Sequence, residues 1–147
     1  HRHIPEIEQE LGGLLQRASH PSDTVAAQPI VTFTPHLVPM NRGILSTAYC
    51  KLKSPMSLPD LRALYRDFYK GERFVRFQEE TIPNPRYIKG SNYCDIGVYL
   101  DPRSGSVITV AALDNLVKGA AGQAIQAMNL MLGFPEETGL TAPAAYP

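Results

Sequence analysis

Two segments of the chain carry side chains capable of chemistry. His1-Arg2-His3 precedes Ile4-Pro5-Glu6-Ile7, and Asp114-Asn115-Leu116-Val117-Lys118-Gly119-Ala120-Ala121-Gly122-Gln123 lies near the other end. An imidazole with an unperturbed pKa of about 6.5 exchanges protons at neutral pH, so His1 and His3 are candidates for general acid–base work. In an extended stretch the two rings point in similar directions, with Arg2 on the other side. Such a pair can also hold a metal ion, but the chain offers no convincing third ligand. The structural alternative is a surface run partnered by Glu6 and Glu8.

Asn115 combines an amide donor with a carbonyl acceptor, and Gly119, Ala120, Ala121 and Gly122 after it permit close approach to a helix start. The structural reading of the same residues is a tightly packed Ala/Gly helix capped by Asp114 or Asn115. Arg42, in Asn41-Arg42-Gly43, can hold a carboxylate or phosphate through a bidentate fork or stand as a solvated turn charge. Ser91 and Asn92, in Gly90-Ser91-Asn92-Tyr93-Cys94-Asp95, can donate to a ligand or merely shape the turn before a strand. Cys94 has no activating base beside it in sequence, which favours a structural thiol over a nucleophile. No nucleophile motif and no nucleotide-binding loop lies between the two terminal segments, so a piece of a larger enzyme is expected.

The elements that must position these groups follow from periodicity. Ile4, Ile7, Leu11, Leu14 and Leu15 predict a helix from about Pro5 to Arg17, with proline tolerated in its first turn. Val31, Phe33, Pro35 and Leu37 alternate with polar residues as in an edge strand, and Ile44 to Lys53 is a second strand candidate expected to pair with it. Ser57-Leu58-Pro59-Asp60 reads as a helix start, followed by an apolar face of Leu61, Leu64, Tyr65 and Phe68 and a stop at Gly71. Phe74 to Phe77 suggests a short strand. Asp95 to Leu100 and Val107 to Leu113 read as strands of a hairpin through Asp101-Pro102-Arg103-Ser104-Gly105. A last helix is expected from Leu116 to Leu132, with Ala124, Ile125, Met128 and Leu132 in its buried stripe and Gly133 as its stop. The pattern predicts one α+β domain over residues 1–147 with a largely antiparallel mixed sheet.

Composition narrows the function classes. Fourteen basic residues balance fourteen acidic ones, and no segment concentrates Lys and Arg into a phosphate-backbone stripe, so nucleic acid is not an expected partner. No apolar run approaches the roughly 18 residues needed to span a bilayer, and the chain reads as soluble. Cys50 and Cys94 are too few for a disulfide framework and have no metal-ligand spacing, so buried free thiols in a reducing compartment are expected.

HRHIPEIEQE, FTPHLVPMNRGILST, GSNYCDIG and DNLVKGAAGQAIQAMNLMLG occur in this order. Together they resemble the carboxy-terminal half of the N-acetyl-gamma-glutamyl-phosphate reductase family, and the resemblance covers nearly the whole chain. It implies a cytoplasmic enzyme of arginine biosynthesis in which a Rossmann domain binds NADP and carries a cysteine nucleophile. This chain would then be the catalytic and dimerisation part, folded like the carboxy-terminal domain of glyceraldehyde-3-phosphate dehydrogenase-type enzymes with helices on one face of the sheet. By the same resemblance His3 is the acid–base group and His1 an alternative or orienting partner. Arg2, Arg42, Ser91 and Asn92 are substrate-binding candidates, and Asn115 reaches the nicotinamide carboxamide. Neither Cys50 nor Cys94 matches the family's nucleophile motif, so the chain alone is expected to be inactive. Residues 114–147 are expected to pack on the nucleotide domain, and the whole to form a homo-oligomer. Two other readings stand beside it: a non-catalytic dimerisation or binding module with structural histidines, and a hydrolase using Cys94 with a histidine.

Overall fold

The computed structural model describes residues 2–18 and 28–145, which fall into two compact units, His1–Pro39 and Met40–Pro147. In the first unit, α1 spans Ile4–Ala18, one residue beyond the expected helix at each end. The His3 carbonyl accepts from the Ile7 N–H at 3.0 Å and closes the first turn. Ile4, Ile7 and Leu15 are half-buried, while Leu11 and Leu14 are exposed.

The strand expected over residues 31–37 does not form. Val31 and Phe33 are half-buried and alternate with exposed neighbours, as the pattern required. However, the Val31 N–H is taken by the Glu8 carboxylate at 2.9 Å, and the His36 ring bonds the Thr34 carbonyl at 3.0 Å. Pro35 and Pro39 have no N–H to offer a ladder. Two prolines and the captured Val31 N–H leave this segment short of ladder donors, and the second strand takes a different partner.

The second unit is built on a four-stranded sheet in the order β1-β4-β3-β2, from β1 (Ile44–Lys51), β2 (Val75–Phe77), β3 (Cys94–Asp101) and β4 (Ser106–Leu113). The pairs β1–β4 and β3–β4 are antiparallel and β2–β3 is parallel. This is the expected largely antiparallel mixed sheet. The β3–β4 hairpin is closed by Asp101, whose carboxylate accepts from Arg103 N and Ser104 Oγ, and by Gly105 at φ +67°.

Helix α2 (Leu58–Phe68) starts as read: Ser57 Oγ accepts from Asp60 N at 3.3 Å and donates to its carboxylate at 2.6 Å. It lays Leu61 on Val98 and Val107, surrounded by Leu52, Tyr65, Phe77 and Leu100. Tyr65 Oη also meets Thr109 Oγ1 at 3.0 Å. Each such buried aliphatic side chain contributes about 1.5–3 kcal/mol. The expected apolar face is only half used, because Leu64 and Phe68 remain exposed. Edge strand β1 is exposed along its whole length. Paired antiparallel residues share a face, so Leu45, Tyr49, Ile108 and Val110 lie on the sheet face opposite α2.

Beyond β4 the chain makes a π-helical turn, Val117–Ala121, and passes directly into α3 (Gly122–Leu132), which Gly133 ends in the left-handed conformation. The stripe that α3 buries is not the expected one. Gly122, Gln126 and Asn129 are buried, whereas Ile125, Met128 and Leu132 are exposed. Spacings of four and three place the first set on one helix face and the apolar set on another. Gly122 is required by packing: a Cβ there would lie 2.3 Å from Asn92 Oδ1 and 2.8 Å from the Val117 carbonyl. Gly122→Ala should therefore destabilise the protein by roughly 1–3 kcal/mol, as overpacking does. Gly119→Ala, whose Cβ would meet only ordinary contacts at 3.4 Å or more, should be near neutral. Urea denaturation of the two variants checks this, and equal midpoints would contradict the packing account.

Candidate active site

The Asp114 carboxylate, at the end of β4, is fully buried and has four partners. Oδ1 accepts from Leu116 N at 2.8 Å and Val117 N at 3.1 Å, which fastens the start of the π-helical turn. Oδ2 accepts from Gly90 N at 2.5 Å and forms an ion pair with Arg42 Nε at 2.7 Å. Burial by itself would raise this carboxyl's pKa. The Gly90, Leu116 and Val117 N–H groups and the Arg42 guanidinium outweigh it and hold the pKa below the usual aspartate value. Stability linked to Asp114 is therefore fully present above the unfolded-state pKa of about 3.9 and is lost as pH falls through the depressed folded value.

Asn115, the next residue, accepts from Gly43 N through Oδ1 at 2.7 Å. Its carbonyl is thus turned onto the 41–43 turn, leaving the amide nitrogen as the donor available to a ligand. Gly43 adopts φ +115°, and a Cβ at this position would lie 2.7 Å from Pro85 Cβ. The turn is consequently held against the 84–90 segment by close backbone approach as well as by Asp114 and Asn115. Arg42, Asn115, Asp114 and Gly90 therefore come together at one end of the sheet, although they are distant in sequence.

Ser91 and Asn92 belong to the same region but face inward, each 1% exposed. Ser91 Oγ donates to the Ile88 carbonyl at 2.7 Å, and Asn92 Nδ2 donates to Gln126 Oε1 at 2.9 Å. Lys118 Nζ donates to the same Gln126 oxygen at 2.7 Å, and Gln126 Nε2 donates to Glu136 at 2.5 Å. This polar chain binds the 90–93 loop, the π-helical turn and the segment after α3 into one body. Burial lowers the Lys118 pKa, with Cys94, Glu136 and Glu72 opposing. In sequence Gln126 could have been found by its position one helical turn after Gly122, on the same face.

The sequence pointed to buried thiols, but neither cysteine is buried. Cys50 is free and exposed on the edge strand β1, and Cys94 is free and half-buried. Burial pushes the Cys94 thiol up, Lys118 opposes and Asp95 adds to the rise. A raised thiol pKa is the opposite of what an activated nucleophile needs. No group of three His, Cys, Asp or Glu side chains able to hold a metal occurs among the described residues.

Arg2 and His3 are exposed in the first unit, immediately before α1. His1 lies outside the described residues.

Comparison with known proteins gives a consistent family. Residues 1–115 match the semialdehyde dehydrogenase dimerisation domain. The whole chain aligns with N-acetyl-gamma-glutamyl-phosphate reductases of Geotalea daltonii, at 53% identity, and Geobacter metallireducens, at 54%. In both cases it spans 40% of the relative's length. Among solved structures it resembles aspartate semialdehyde dehydrogenase II from Vibrio cholerae, with a TM-score of 0.53 at 20% identity over 65% of this chain and 29% of that one. That likeness shows a shared fold. With more than half of its residues matched, the chain belongs to the semialdehyde dehydrogenase dimerisation-domain family.

Proposed function

We propose that this chain is the catalytic and subunit-pairing part of an NADP-dependent reductase of the cytoplasm that converts N-acetyl-gamma-glutamyl phosphate to N-acetylglutamate semialdehyde and phosphate. The observation that carries this reading is identity above one half, over the whole chain, to reductases named for that reaction. The geometry around Asn115 supports it. With its carbonyl held by Gly43, the amide of Asn115 keeps an N–H donor suited to the carboxamide oxygen of a nicotinamide ring. Bound there, the cofactor would supply the hydride.

The chain's own contributions follow from side-chain chemistry. His3 is the proposed acid–base group, with His1 as its orienting partner, and serves a cysteine nucleophile supplied from outside this chain. Arg2 and Arg42 are proposed to hold substrate oxyanions. The ion pair of Arg42 Nε with Asp114 orients the guanidinium. Ser91 and Asn92 support the site from behind, and direct contact with substrate would require the Ile88 and Gln126 bonds to open. The exposed apolar face of α3 suits packing on a nucleotide-binding domain, as proposed for residues 114–147. Pairing of two copies is proposed through the sheet face opposite α2, where Leu45 and Tyr49 are exposed.

In a full-length enzyme carrying this chain, His3→Ala should lower kcat by roughly 10²- to 10⁴-fold, the range of general acid–base catalysis, and His1→Ala should cost less. Steady-state kinetics with the acyl phosphate checks both, and an unchanged kcat for His3→Ala would remove His3 from the chemistry. For association, Tyr49→Glu should weaken self-association by at least about tenfold, or 1.4 kcal/mol, without unfolding, because Tyr49 is 72% exposed. Ile125→Glu on α3 should leave it unchanged. Sedimentation across a concentration series tests the pair, and the reverse pattern would move the interface to α3.

A further inference from the structure

We infer that the segment at residues 141–145 is a positioning element for Arg42, acting through a single peptide group at the end of the sheet. The Ala145 N–H donates to the Lys89 carbonyl at 2.7 Å. The N–H of that same peptide, on Gly90, donates to Asp114 Oδ2 at 2.5 Å, and this oxygen pairs with Arg42 Nε at 2.7 Å. A trans peptide is planar and sets its carbonyl and its N–H on opposite sides. The Lys89–Gly90 peptide is therefore clamped between the segment after α3 and the buried carboxylate. One line of hydrogen bonds runs from Ala145 to the guanidinium.

The bonds in this line strengthen one another. A carbonyl that accepts a hydrogen bond makes the N–H of its own amide a better donor, by roughly 10–30% per bond. Loss of the Ala145 donor weakens what Gly90 gives Asp114 and frees the peptide to tilt away from the carboxylate that orients Arg42. The near end of the segment is fixed independently of this contact. Asn129 Nδ2 donates to the Glu136 and Thr138 carbonyls, both at 3.0 Å, and the Leu140 N–H donates to the Glu137 carbonyl at 2.9 Å. Leu140 itself is 5% exposed. Beyond it Thr141, Ala142 and Pro143 are exposed and Ala144 is half-buried. Pro143 locks one φ of this span, which lowers the entropy lost in holding Ala145 at Lys89. The segment is thus held at two ends across an open stretch, and its contact at Lys89 can be removed without disturbing the buried anchor.

The inference rests on the reductase reading only for what Arg42 then holds. The test compares Ala145→Pro, which removes the N–H, with Ala145→Gly, which keeps it, in the full 147-residue chain. Hydrogen exchange followed by NMR reads the Gly90 amide and the Arg42 Nε–H. The Leu61 amide, which donates to the Ser57 carbonyl at the start of α2, is the reference. Ala145→Pro should speed exchange at both Gly90 and Arg42 by roughly two- to tenfold, the range to which the net contribution of one hydrogen bond corresponds. Leu61 should not change, and Ala145→Gly should leave all three as they are. Deletion of residues 141–142 shortens the span by up to about 7 Å and should reproduce the pattern of Ala145→Pro. Acceleration at Gly90 without Arg42, at neither, or equally at Leu61 would overturn the inference. In a full-length enzyme carrying this chain, Ala145→Pro should raise KM for the acyl phosphate by roughly the same two- to tenfold, with KM for NADPH unchanged. An unchanged KM beside the expected exchange pattern would support the positioning of Arg42 and remove its proposed substrate role.

Discussion

The second unit depends on satisfying one buried charge. A carboxylate removed from water is costly unless it is paired and hydrogen-bonded. Asp114 meets that requirement with three backbone N–H groups and a guanidinium. The four partners come from three parts of the chain: the 41–43 turn, the 90–93 loop and the start of the π-helical turn after β4. Satisfying the charge and assembling the site are thus the same event. A carboxylate with four partners tolerates little displacement of any of them, so Arg42, Asn115 and the 84–90 segment acquire a common frame without a large hydrophobic core beneath them.

The polar chain behind this frame extends the same logic. Asn92, Lys118 and Glu136 converge on Gln126, a residue on the one face of α3 that the chain buries. The helix therefore attaches to the sheet end through hydrogen bonds and the glycine contact at residue 122, and presents its aliphatic side chains outward. Apolar side chains turned outward in this way suit the packing on a nucleotide-binding domain proposed above. The exposed sheet face carrying Leu45 and Tyr49 has the same character. Two apolar surfaces in different places correspond to the two associations proposed for the chain.

Local features were legible in the sequence and long-range ones were not. α1, the Ser57 cap of α2, the β3–β4 hairpin with its Asp101 turn and the stop at Gly133 all depend on neighbours within a few residues, and each lies close to where periodicity and turn chemistry put it. The 31–37 segment failed because strand formation needs a partner, and it lost one donor at Pro35 and another, the Val31 N–H, to Glu8. The buried stripe of α3 was misassigned because the apolar pattern of a helix shows what will eventually be covered, not what this chain covers. Asp114 read as a helix cap, and it is one, through Leu116 and Val117. Its links to Arg42 and Gly90, and the link of Asn115 to a glycine 72 residues away, leave no trace in local spacing. The histidines stood out by residue type and by their motif, but spacing alone left their chemistry open.

A single ionised Asp114 holds these segments together, and carboxyl NMR of Asp114 across acid pH tests this most directly. The carboxyl should titrate below the ordinary aspartate value of about 3.9. The amide signals of Gly90, Leu116 and Val117 should move with the same midpoint, since all three donate to it. An Asp114 that titrates at or above the ordinary value, or amides that move independently of it, would contradict the account.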